Sequence, residues 1–245
     1  NTDFSYGRNS WDAFLAVMKK YGMGVKVVSD LWVKVGTTDL TSHVAALQQA
    51  KPDLIFSSLL FADMPIFMKQ AHAAGLTERA KFVFPAAGFQ HTGIKKAFAP
   101  EGMILGHNTM YFEQPGASAL LKEFVRDYHE KHKDWPHFES DRAYFTVAAY
   151  KAAVERAAGA IGGKWPSPEQ IVDALRGIEV ESLGGKVRYR EDNIPECNFY
   201  TGFTIHKNSY DFCTIDRIET MHTKELQKPS GADFFKWIGE ANWKI

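Results

Sequence analysis

Residues 51–85, KPDLIFSSLLFADMPIFMKQAHAAGLTERAKFVFP, decide the fold class of this 245-residue chain. Within them, DLIFSSLLF is a nearly unbroken apolar run, which is typical of a strand covered on both faces. Asp63 then offers an N-cap for a helix from Met64 to about Ala74. Gly75 ends that helix, and KFVFP supplies the next apolar strand. Strand, helix and strand in this order predict two parallel strands joined by a right-handed crossover.

The same alternation extends to both sides of this stretch. Apolar residues recur at helical spacing from Asn9 to Tyr21, and residues 25–33, VKVVSDLWV, are rich in the β-branched residues that favour a strand. GTTDLTSHVAALQQAKPD adds a helix with Asp39 or Thr41 as its N-cap, and GMILGHNTMYF supplies a fourth strand. We therefore predict an α/β protein with doubly wound, mainly parallel sheets.

The pattern changes after Phe112. Two long helices are predicted over residues 117–133 and 143–158, and SPEQIVDAL has the capping-box arrangement of Ser167 and Gln170. GGKVRYRED, CNFYTGFTIH and DFCTIDRIE are expected to be extended, with the last two forming a hairpin. The aromatic tail GADFFKWIGEANWKI is expected to dock as a helix.

Composition excludes several classes of protein. Lys and Arg together number 29, as do Asp and Glu, so no basic surface indicates nucleic acid or an anionic membrane as a partner. A 45% hydrophobic content supports a substantial core. The sequence contains no run of about 18 apolar residues, so it gives no indication of stable membrane insertion. Cys197 and Cys213 are too few for a disulfide scaffold; one disulfide remains possible, although two buried free thiols are favoured.

Three turns are expected at the carboxyl edge of the parallel sheet, where open α/β sheets bind ligands. They are DFSYG, LLFAD and PAAGFQH, and the first belongs there only if a strand precedes it. Their apolar, aromatic and small side chains, with one phenol hydroxyl, are Tyr6, Leu60, Phe61, Ala86, Ala87 and Phe89. Such a lining suits recognition of a small molecule more than catalysis. Alternatively, Leu60 and Phe61 finish a core strand, and Tyr6 caps the sheet edge.

The pattern resembles the second lobe of type I periplasmic solute-binding proteins, the branched-chain amino acid receptor group of ABC importers. The resemblance rests on DFSYGRNSWDAF, VGTTDLTSHVAALQQAKPDLIFSSLLFADMPIFMKQAHAAGL, PEGMILG, AYFTVAAYKAAVERA and GGKVRYRED, whose order and spacing extend over nearly the whole chain. It implies two lobes that close about a hinge on a small-molecule solute. It also implies a membrane permease as partner and a periplasmic, or lipoprotein-anchored extracytoplasmic, location.

The resemblance further implies an N-terminally incomplete protein. Residues 1–109 would be lobe two without its first strand, residues 110–196 the returning part of lobe one, and residues 197–245 a return to lobe two followed by the tail. The opening part of lobe one and the strand before DFSYG are expected upstream of Asn1.

Ligand residues carried over from the family fall on specific positions. Tyr6 matches the ligand-facing tyrosine of lobe two, and Leu60, with Phe61 adjacent, falls where amino-acid receptors hold an aromatic. The carboxylate that pairs with the substrate ammonium falls at about Ala86, beside Ala87. An ammonium without a counter-charge in a dry cleft would cost several kcal/mol, so the substitution favours a carboxylic or aromatic acid over an amino acid. Asp63 does not replace that carboxylate, because an N-cap carboxylate points at backbone amides.

In lobe one, Tyr144 and Phe145 match a region that touches the ligand from the other side. Packing of their helix is the alternative explanation for both residues.

Other chemistries have weaker support. A nucleotide-dependent α/β enzyme would need a G-x-G-x-x-G after a strand or a P-loop, and GAIGGKW has neither spacing. His129, His132 and His137 fit a solvated helix face better than a metal site, and Ser57 and Ser58 lack the G-x-S-x-G turn of a nucleophile. We predict no catalytic residue, metal or cofactor. The alternatives that remain are a ligand-sensing domain of a receptor or regulator and a branched-chain amino acid binder.

Overall fold

The computed structural model of the protein describes residues 1–243. It divides into two compact units. The first contains Asn1–Gly106, Thr201–Arg217 and the described part of Lys228–Ile245, and the second contains His107–Tyr200 and Ile218–Gln227.

The secondary structure alternates between helices and strands in the first half of the chain. The α-helices are α1 (Ser5–Lys20), α2 (Thr41–Ala50), α3 (Asp63–Ala73), α4 (Ala119–His132), α5 (Phe138–Ala160), α6 (Pro168–Leu175), α7 (Thr223–Leu226) and α8 (Phe234–Glu240). The strands are β1 (Leu54–Phe56), β2 (Lys81–Phe84), β3 (Ile104–Asn108), β4 (Glu179–Ser182), β5 (Gly185–Tyr189), β6 (Pro195–Glu196), β7 (Asn198–Ile205) and β8 (Thr214–His222). Short 3₁₀ turns occupy Leu76–Glu78, Ala87–Phe89 and His91–Gly93.

A five-stranded sheet has the order β1-β2-β3-β7-β8, and β2 is parallel to both of its neighbours. Phe82 and Phe84, two residues apart in β2, lie on the same face of the sheet, where both rings contact Phe67 of α3 edge-on. Phe56 points to the other face, where its ring stacks on Phe14 of α1 at 4.4 Å. Successive strand residues point to opposite faces, so α1 and α3 cover opposite sides of the sheet. The predicted parallel α/β architecture is confirmed.

The strand predicted over residues 25–33 does not form. Only Val33 pairs, in an isolated parallel bridge with Thr2, and the valines at 25, 27 and 28 are exposed. A strand requires a neighbour along its length to satisfy its backbone groups, and the backbone bonds to this segment come from residues 1–3 at its end. High β-propensity alone therefore gives an extended but unpaired segment.

The prediction that Asp63 caps α3 is wrong. Ala62 holds the N-cap position without a side-chain hydrogen bond, and Asp63 is the first helical residue. Both carboxylate oxygens of Asp63 accept instead from the backbone amide of Gly36, at 3.0 and 3.1 Å. Asp63 is thus a buried link between the start of α3 and the loop that contains Gly36.

Other helix starts follow the local sequence more closely. At α2 the prediction of Asp39 or Thr41 as N-cap is wrong by one residue, because Leu40 holds that position; Asp39 nevertheless accepts a hydrogen bond from the Thr41 amide at 2.9 Å. At α6 the predicted capping box is confirmed, since Ser167 accepts from the Gln170 amide while Gln170 accepts from the Ser167 amide.

The second unit contains a three-stranded antiparallel sheet, β4-β5-β6, packed on α5 and α6. This departs from the predicted parallel sheets, because the two residues Leu183 and Gly184 join β4 to β5 in a tight hairpin. Its buried cluster contains Phe145, Ala149, Ala153, Ile178, Val187, Tyr189 and Cys197.

Residues 197–200 and 218–227 group with the second unit, and residues 201–217 group with the first. The Cys197 amide donates to Thr223 Oγ1, and the Thr223 amide donates to the Cys197 carbonyl, both at 2.8 Å. The assignment of the units to lobes of a longer protein stays a prediction.

The aromatic tail docks on α1 through α8, as predicted. Lys20 Nζ donates to the Ile238 carbonyl at 2.8 Å, and the Tyr21 hydroxyl donates to the Trp243 carbonyl at 3.0 Å. The last two residues of the tail, 244 and 245, lie outside the described residues. Both cysteines are free and buried. Among residues 1–243, no helix combines the length and apolarity needed to span a membrane.

Candidate functional site

The three turns expected at one edge of the sheet lie side by side. The Ser57 amide, just after β1, donates to the Val83 carbonyl of β2 at 2.9 Å. On its other side, the Thr2 amide donates to Ser58 Oγ at 3.3 Å, which places the chain entering α1 beside the end of β1. DFSYG, LLFAD and PAAGFQH therefore leave adjacent positions at the carboxyl edge of the sheet.

Gly7 determines how closely α1 approaches this edge. A Cβ at this position would overlap the Thr2 carbonyl oxygen and lie 3.2 Å from Ser58 Oγ. Only glycine allows the first turn of α1 to pack so tightly on the preceding residues. Because Gly7 has no side chain, the first turn of α1 packs against Thr2, and the preceding residue, Tyr6, lies at the sheet edge.

Tyr6 presents a half-buried phenol in the first turn of α1. Burial raises the pKa of Tyr6, while a hydrogen bond with the Ser10 side chain opposes that shift. The phenol therefore stays neutral and can donate a hydrogen bond to a ligand acceptor. Ser10 was not anticipated, although its spacing of four residues from Tyr6 on a helix is a signal that sequence reasoning could have used.

Phe61 is the most exposed aromatic of these turns. Its side chain is 48% exposed, and its φ of 50° lies in the left-handed region. That conformation costs a bulky residue about 1–2 kcal/mol. Its ring centroid lies 5.0 Å from that of Phe89, with the planes inclined at 59°. A strained, exposed aromatic that pairs with the neighbouring turn is the kind of outlier that marks functional sites.

Leu60, Ala86 and Ala87 are buried and form apolar surface beneath the turns. Ala86 precedes the 3₁₀ turn that carries Phe89. These three residues contribute shape and exclude water rather than supplying polar contacts.

The acidic residues of the three turns are already engaged. Asp3 forms an ion pair with Arg8 at 2.5 Å, and Asp63 is held by the Gly36 amide. Ala86, the position at which the family resemblance predicts a carboxylate for a ligand ammonium, offers only a methyl group. An ammonium at these turns would have to compete for an occupied carboxylate.

Tyr144 and Phe145 lie on α5 in the second unit. Phe145 is 3% exposed and meets Tyr189 edge-on within the buried cluster. Tyr144 is more exposed and meets Phe124 edge-on at 6.5 Å. Packing therefore accounts for Phe145, whereas Tyr144 retains an accessible ring.

Contacts within the second unit account for the three histidines. His129 stacks on Trp135 at 4.0 Å, His132 contacts the Tyr128 ring, and His137 Nδ1 caps α5 by accepting from the Glu139 amide. Across residues 1–243, no group of three or more His, Cys, Asp or Glu residues is arranged to hold a metal ion.

A polar cavity of about 240 Å³ lies in the second unit beside the β4–β5 turn. The Gly184 carbonyl there accepts hydrogen bonds from Asn198 Nδ2 and the Tyr200 hydroxyl, both at 2.9 Å. Burial raises the pKa of Tyr200 to about 12, so its hydroxyl remains a donor at neutral pH. These groups satisfy one another, so the turn is rigidly held.

A mainly parallel sheet with helices on both faces, whose carboxyl edge presents aromatic rings and a phenol hydroxyl, is the architecture of small-molecule-binding α/β proteins. The family model described as "Periplasmic binding protein" matches residues 1–202. The chain belongs to the periplasmic binding protein family.

Individual relatives agree with this assignment. Over 215 residues, the chain is 24% identical to the leucine-, isoleucine-, valine-, threonine- and alanine-binding protein of Pseudomonas aeruginosa, covering 81% of this chain and 54% of that protein. An ABC-transporter solute-binding protein from Rhodopseudomonas palustris, solved with 3,4-dihydroxybenzoic acid, superposes with a TM-score of 0.71 at 22% identity, over 87% of this chain and 57% of that one. The Brucella ovis leucine-, isoleucine-, valine-, threonine- and alanine-binding protein, in a closed conformation, gives 0.72 at 22% identity, over 94% and 58%.

The chain therefore spans a little over half the length of these relatives. The structural matches confirm the type I periplasmic-binding-protein fold predicted from the sequence.

Proposed function

We propose that this chain is part of an extracytoplasmic solute-binding receptor of an ABC importer and that it captures a small carboxylic or aromatic acid in preference to an amino acid. The observation that carries this proposal is the pairing of exposed Phe61 with Phe89 at the sheet edge, where both nearby acids are engaged. Membership of the periplasmic binding protein family supports the receptor role.

The chemistry of the edge suits an aromatic acid. The Phe61–Phe89 pair offers ring faces and edges for stacking, and Tyr6 offers a hydroxyl donor. Within residues 1–243, no side chain caps the N-terminus of α1 or α3. The dipole of α1 favours an anionic group such as a carboxylate, whereas the first turn of α3 already contains the Asp63 carboxylate and the Asp63 amide donates to the Leu60 carbonyl.

The rest of the proposal follows from the family. Periplasmic binding proteins act outside the cytoplasm, and for this protein we propose a periplasmic or lipoprotein-anchored location and an ABC permease as partner. In the complete receptor, lobe closure on the solute is the proposed mode of capture, and Tyr144 is proposed as a further ligand contact.

A branched-chain amino acid ligand is the second candidate, because two relatives are named as binders of such amino acids. It requires a counter-charge for the ligand ammonium, and Ala86 supplies none. A ligand-sensing domain would use the same site, so only the partner distinguishes it. These relatives are solute-binding proteins rather than enzymes.

A calorimetric and thermal-shift screen of the complete protein tests the proposal. The panel would contain benzoate, 4-hydroxybenzoate, 3,4-dihydroxybenzoate, pentanoate, leucine and valine. Saturable binding of an aromatic or aliphatic acid, at least 100-fold tighter than leucine, is the expected result. Selective tight binding of leucine or valine would overturn the acid preference, and chemical turnover of any bound compound would overturn the receptor role.

A further inference from the structure

The polar cavity of about 240 Å³ belongs to the second unit, whereas the three ligand turns belong to the first. The loop before α4, the β4–β5 turn and strands β7 and β8 enclose this cavity. None of the described residues that line it is Lys, Arg, His, Asp or Glu. A molecule that binds there is therefore recognised through neutral hydrogen-bonding groups and the dipole of a helix.

Gln114 brings a buried donor to the cavity. The residue is only 8% exposed, and its Oε1 accepts from the Tyr111 amide at 3.2 Å. That bond fixes which end of the side-chain amide is the oxygen. Within residues 1–243, Gln114 Nε2 donates to no protein acceptor. Buried polar groups are nearly always hydrogen-bonded, so this donor indicates an acceptor on a molecule in the cavity.

The start of α4 supplies further donors. Ser118 lines the cavity as the N-cap residue and accepts from the Leu121 amide at 3.1 Å, which leaves its hydroxyl proton free to donate. In the part of the chain that the structure describes, the amides of Ala119 and Leu120 have no acceptor. The first turn of α4 contains no acidic residue. A carboxylate is the group that such donors and the helix dipole favour.

Strand β7 supplies an acceptor. Asn198 Nδ2 donates to the Gly184 carbonyl at 2.9 Å and to the Tyr200 hydroxyl at 3.2 Å, which fixes the orientation of this side-chain amide. Asn198 Oδ1 accepts no hydrogen bond from any group in residues 1–243. A hydroxyl group on a bound molecule can donate to this oxygen.

The wall between these groups is held in place before any ligand arrives. The amides of Leu183 and Gly184 both donate to Asp141, while the Gly184 carbonyl accepts from Asn198 and Tyr200. Groups that are already fixed lose little conformational freedom on binding. The cavity is therefore preorganised on its β4–β5 side.

We propose that this cavity is a binding site for a short hydroxy acid, a carboxylate with an adjacent hydroxyl such as glycolate or lactate. The carboxylate accepts from Gln114 Nε2 and the Ser118 hydroxyl at the start of α4, and the ligand hydroxyl donates to Asn198 Oδ1. A water molecule takes up about 30 Å³ of liquid, so a cavity of about 240 Å³ has room for such a solute together with ordered waters.

Nuclear magnetic resonance titration of the isotope-labelled complete protein with glycolate tests the proposal. Saturable shifts are expected for the amide signals of residues 114–120 and 183–185. Acetate lacks the hydroxyl and should bind at least about threefold more weakly, the value of one modest hydrogen bond. Sodium chloride at equal ionic strength should not reproduce the shifts. The absence of saturable shifts, or equal shifts with chloride, would overturn the site, and equal affinity for acetate would overturn the hydroxyl contact.

Two serine substitutions form a matched pair. Ser118→Asp keeps a good N-cap but adds a negative charge beside the carboxylate, so it should weaken glycolate binding at least about tenfold. Ser167→Asp makes the same change at the N-cap of α6, where Ser167 likewise accepts from the third helical amide but lines no part of the cavity. It should leave glycolate binding unchanged. Equal affinities of these two variants would overturn the proposal.

A second variant probes the buried donor. Gln114→Glu keeps an oxygen for the Tyr111 amide but replaces Nε2 with a second oxygen, so it should also weaken glycolate binding at least about tenfold. Unaltered affinity would remove Gln114 from the site.

Binding in this cavity is independent of the proposed receptor function. Tyr6→Ala should leave the glycolate shifts unchanged, and Ser118→Asp should leave the affinity for an aromatic acid unchanged. Loss of the glycolate shifts in Tyr6→Ala would assign glycolate to the sheet edge of the first unit and overturn the second site. Failure of the aromatic-acid screen would leave the glycolate result standing.

Discussion

The rings of Phe61 and Phe89 lie 5.0 Å apart and join the turns that follow β1 and β2. The two strands are parallel and adjacent, so their carboxyl ends deliver these turns to the same place. Phe61 reaches this position only through a left-handed backbone, with φ of 50°. The molecule thus keeps a strained residue where an aromatic ring is exposed.

Two substitutions at Phe61 distinguish the contribution of its ring to binding from the effect of its strained backbone on stability. Phe61→Ala and Phe61→Gly should both weaken binding of an aromatic acid by tenfold or more, because both remove the stacking surface. Phe61→Gly should nevertheless be about 1 kcal/mol more stable than Phe61→Ala in urea unfolding, because glycine adopts positive φ without strain. Unchanged affinity would remove Phe61 from the site, and equal stabilities would contradict the strained backbone.

Gly7 should be intolerant of even one methyl group. Gly7→Ala should lower the free energy of unfolding by about 1–3 kcal/mol, since the added Cβ overlaps the Thr2 carbonyl oxygen. Gly159→Ala is the matched control, because Gly159 also lies in a helix, α5, and a Cβ there meets nothing within 4 Å. That change should be neutral or stabilising by up to about 1 kcal/mol. Equal effects of the two substitutions in chemical denaturation would refute the close approach of α1.

The sequence of residues 51–85 was sufficient to predict the parallel architecture, because two continuous apolar runs separated by one helical segment have few other solutions. The capping box of α6 was equally readable, since its bonds are local. Residues 25–33 were not predictable, because strand formation depends on a neighbour and propensity contains no information about that neighbour. The prediction that Asp63 caps α3 was wrong for a related reason, because the group that its carboxylate binds, the Gly36 amide, is distant in sequence.

The candidate site was predictable to a similar extent. The order of strands and turns placed Tyr6 and Phe61 at one edge, which required no tertiary information beyond parallel pairing. The positive φ of Phe61 and the ion pair of Asp3 with Arg8 are visible only in the three-dimensional structure. The role of Phe145 could not be predicted from the sequence, since an aromatic residue on a helix gives no sign of whether it faces a core or a ligand.

Tyr6 should act through its hydroxyl as well as its ring. Tyr6→Phe keeps the ring and should weaken acid binding about fivefold to tenfold, the value of one neutral hydrogen bond, whereas Tyr6→Ala should weaken it further. Ser10→Ala removes the helical partner of the hydroxyl and should change affinity less than Tyr6→Phe. Calorimetry with each variant checks the order, and an affinity of Tyr6→Phe equal to that of the unaltered protein would assign the role to the ring alone.

Asp141 should make the stability of the second unit depend on pH. Its fully buried carboxylate accepts from the Leu183 amide at 2.7 Å and the Gly184 amide at 3.3 Å. Burial raises the pKa of Asp141 above 3.8, against the opposing effect of its hydrogen bonds. Between pH 3.8 and the raised pKa, the folded state binds more protons than the unfolded state, so the contribution of Asp141 to stability falls as pH rises through this window.

Two substitutions at Asp141 test that sign. Asp141→Asn keeps an oxygen for both amides and removes the titration, so its free energy of unfolding should equal or exceed that of the unaltered protein at pH 7, and the two should converge near pH 4. Asp141→Ala leaves the two buried amides without their acceptor and should cost about 2–4 kcal/mol at either pH. Urea unfolding of the three proteins at pH 4, 5.5 and 7 provides the comparison. A stability difference between Asp141→Asn and the unaltered protein that is constant with pH would show that Asp141 titrates alike in the folded and unfolded states.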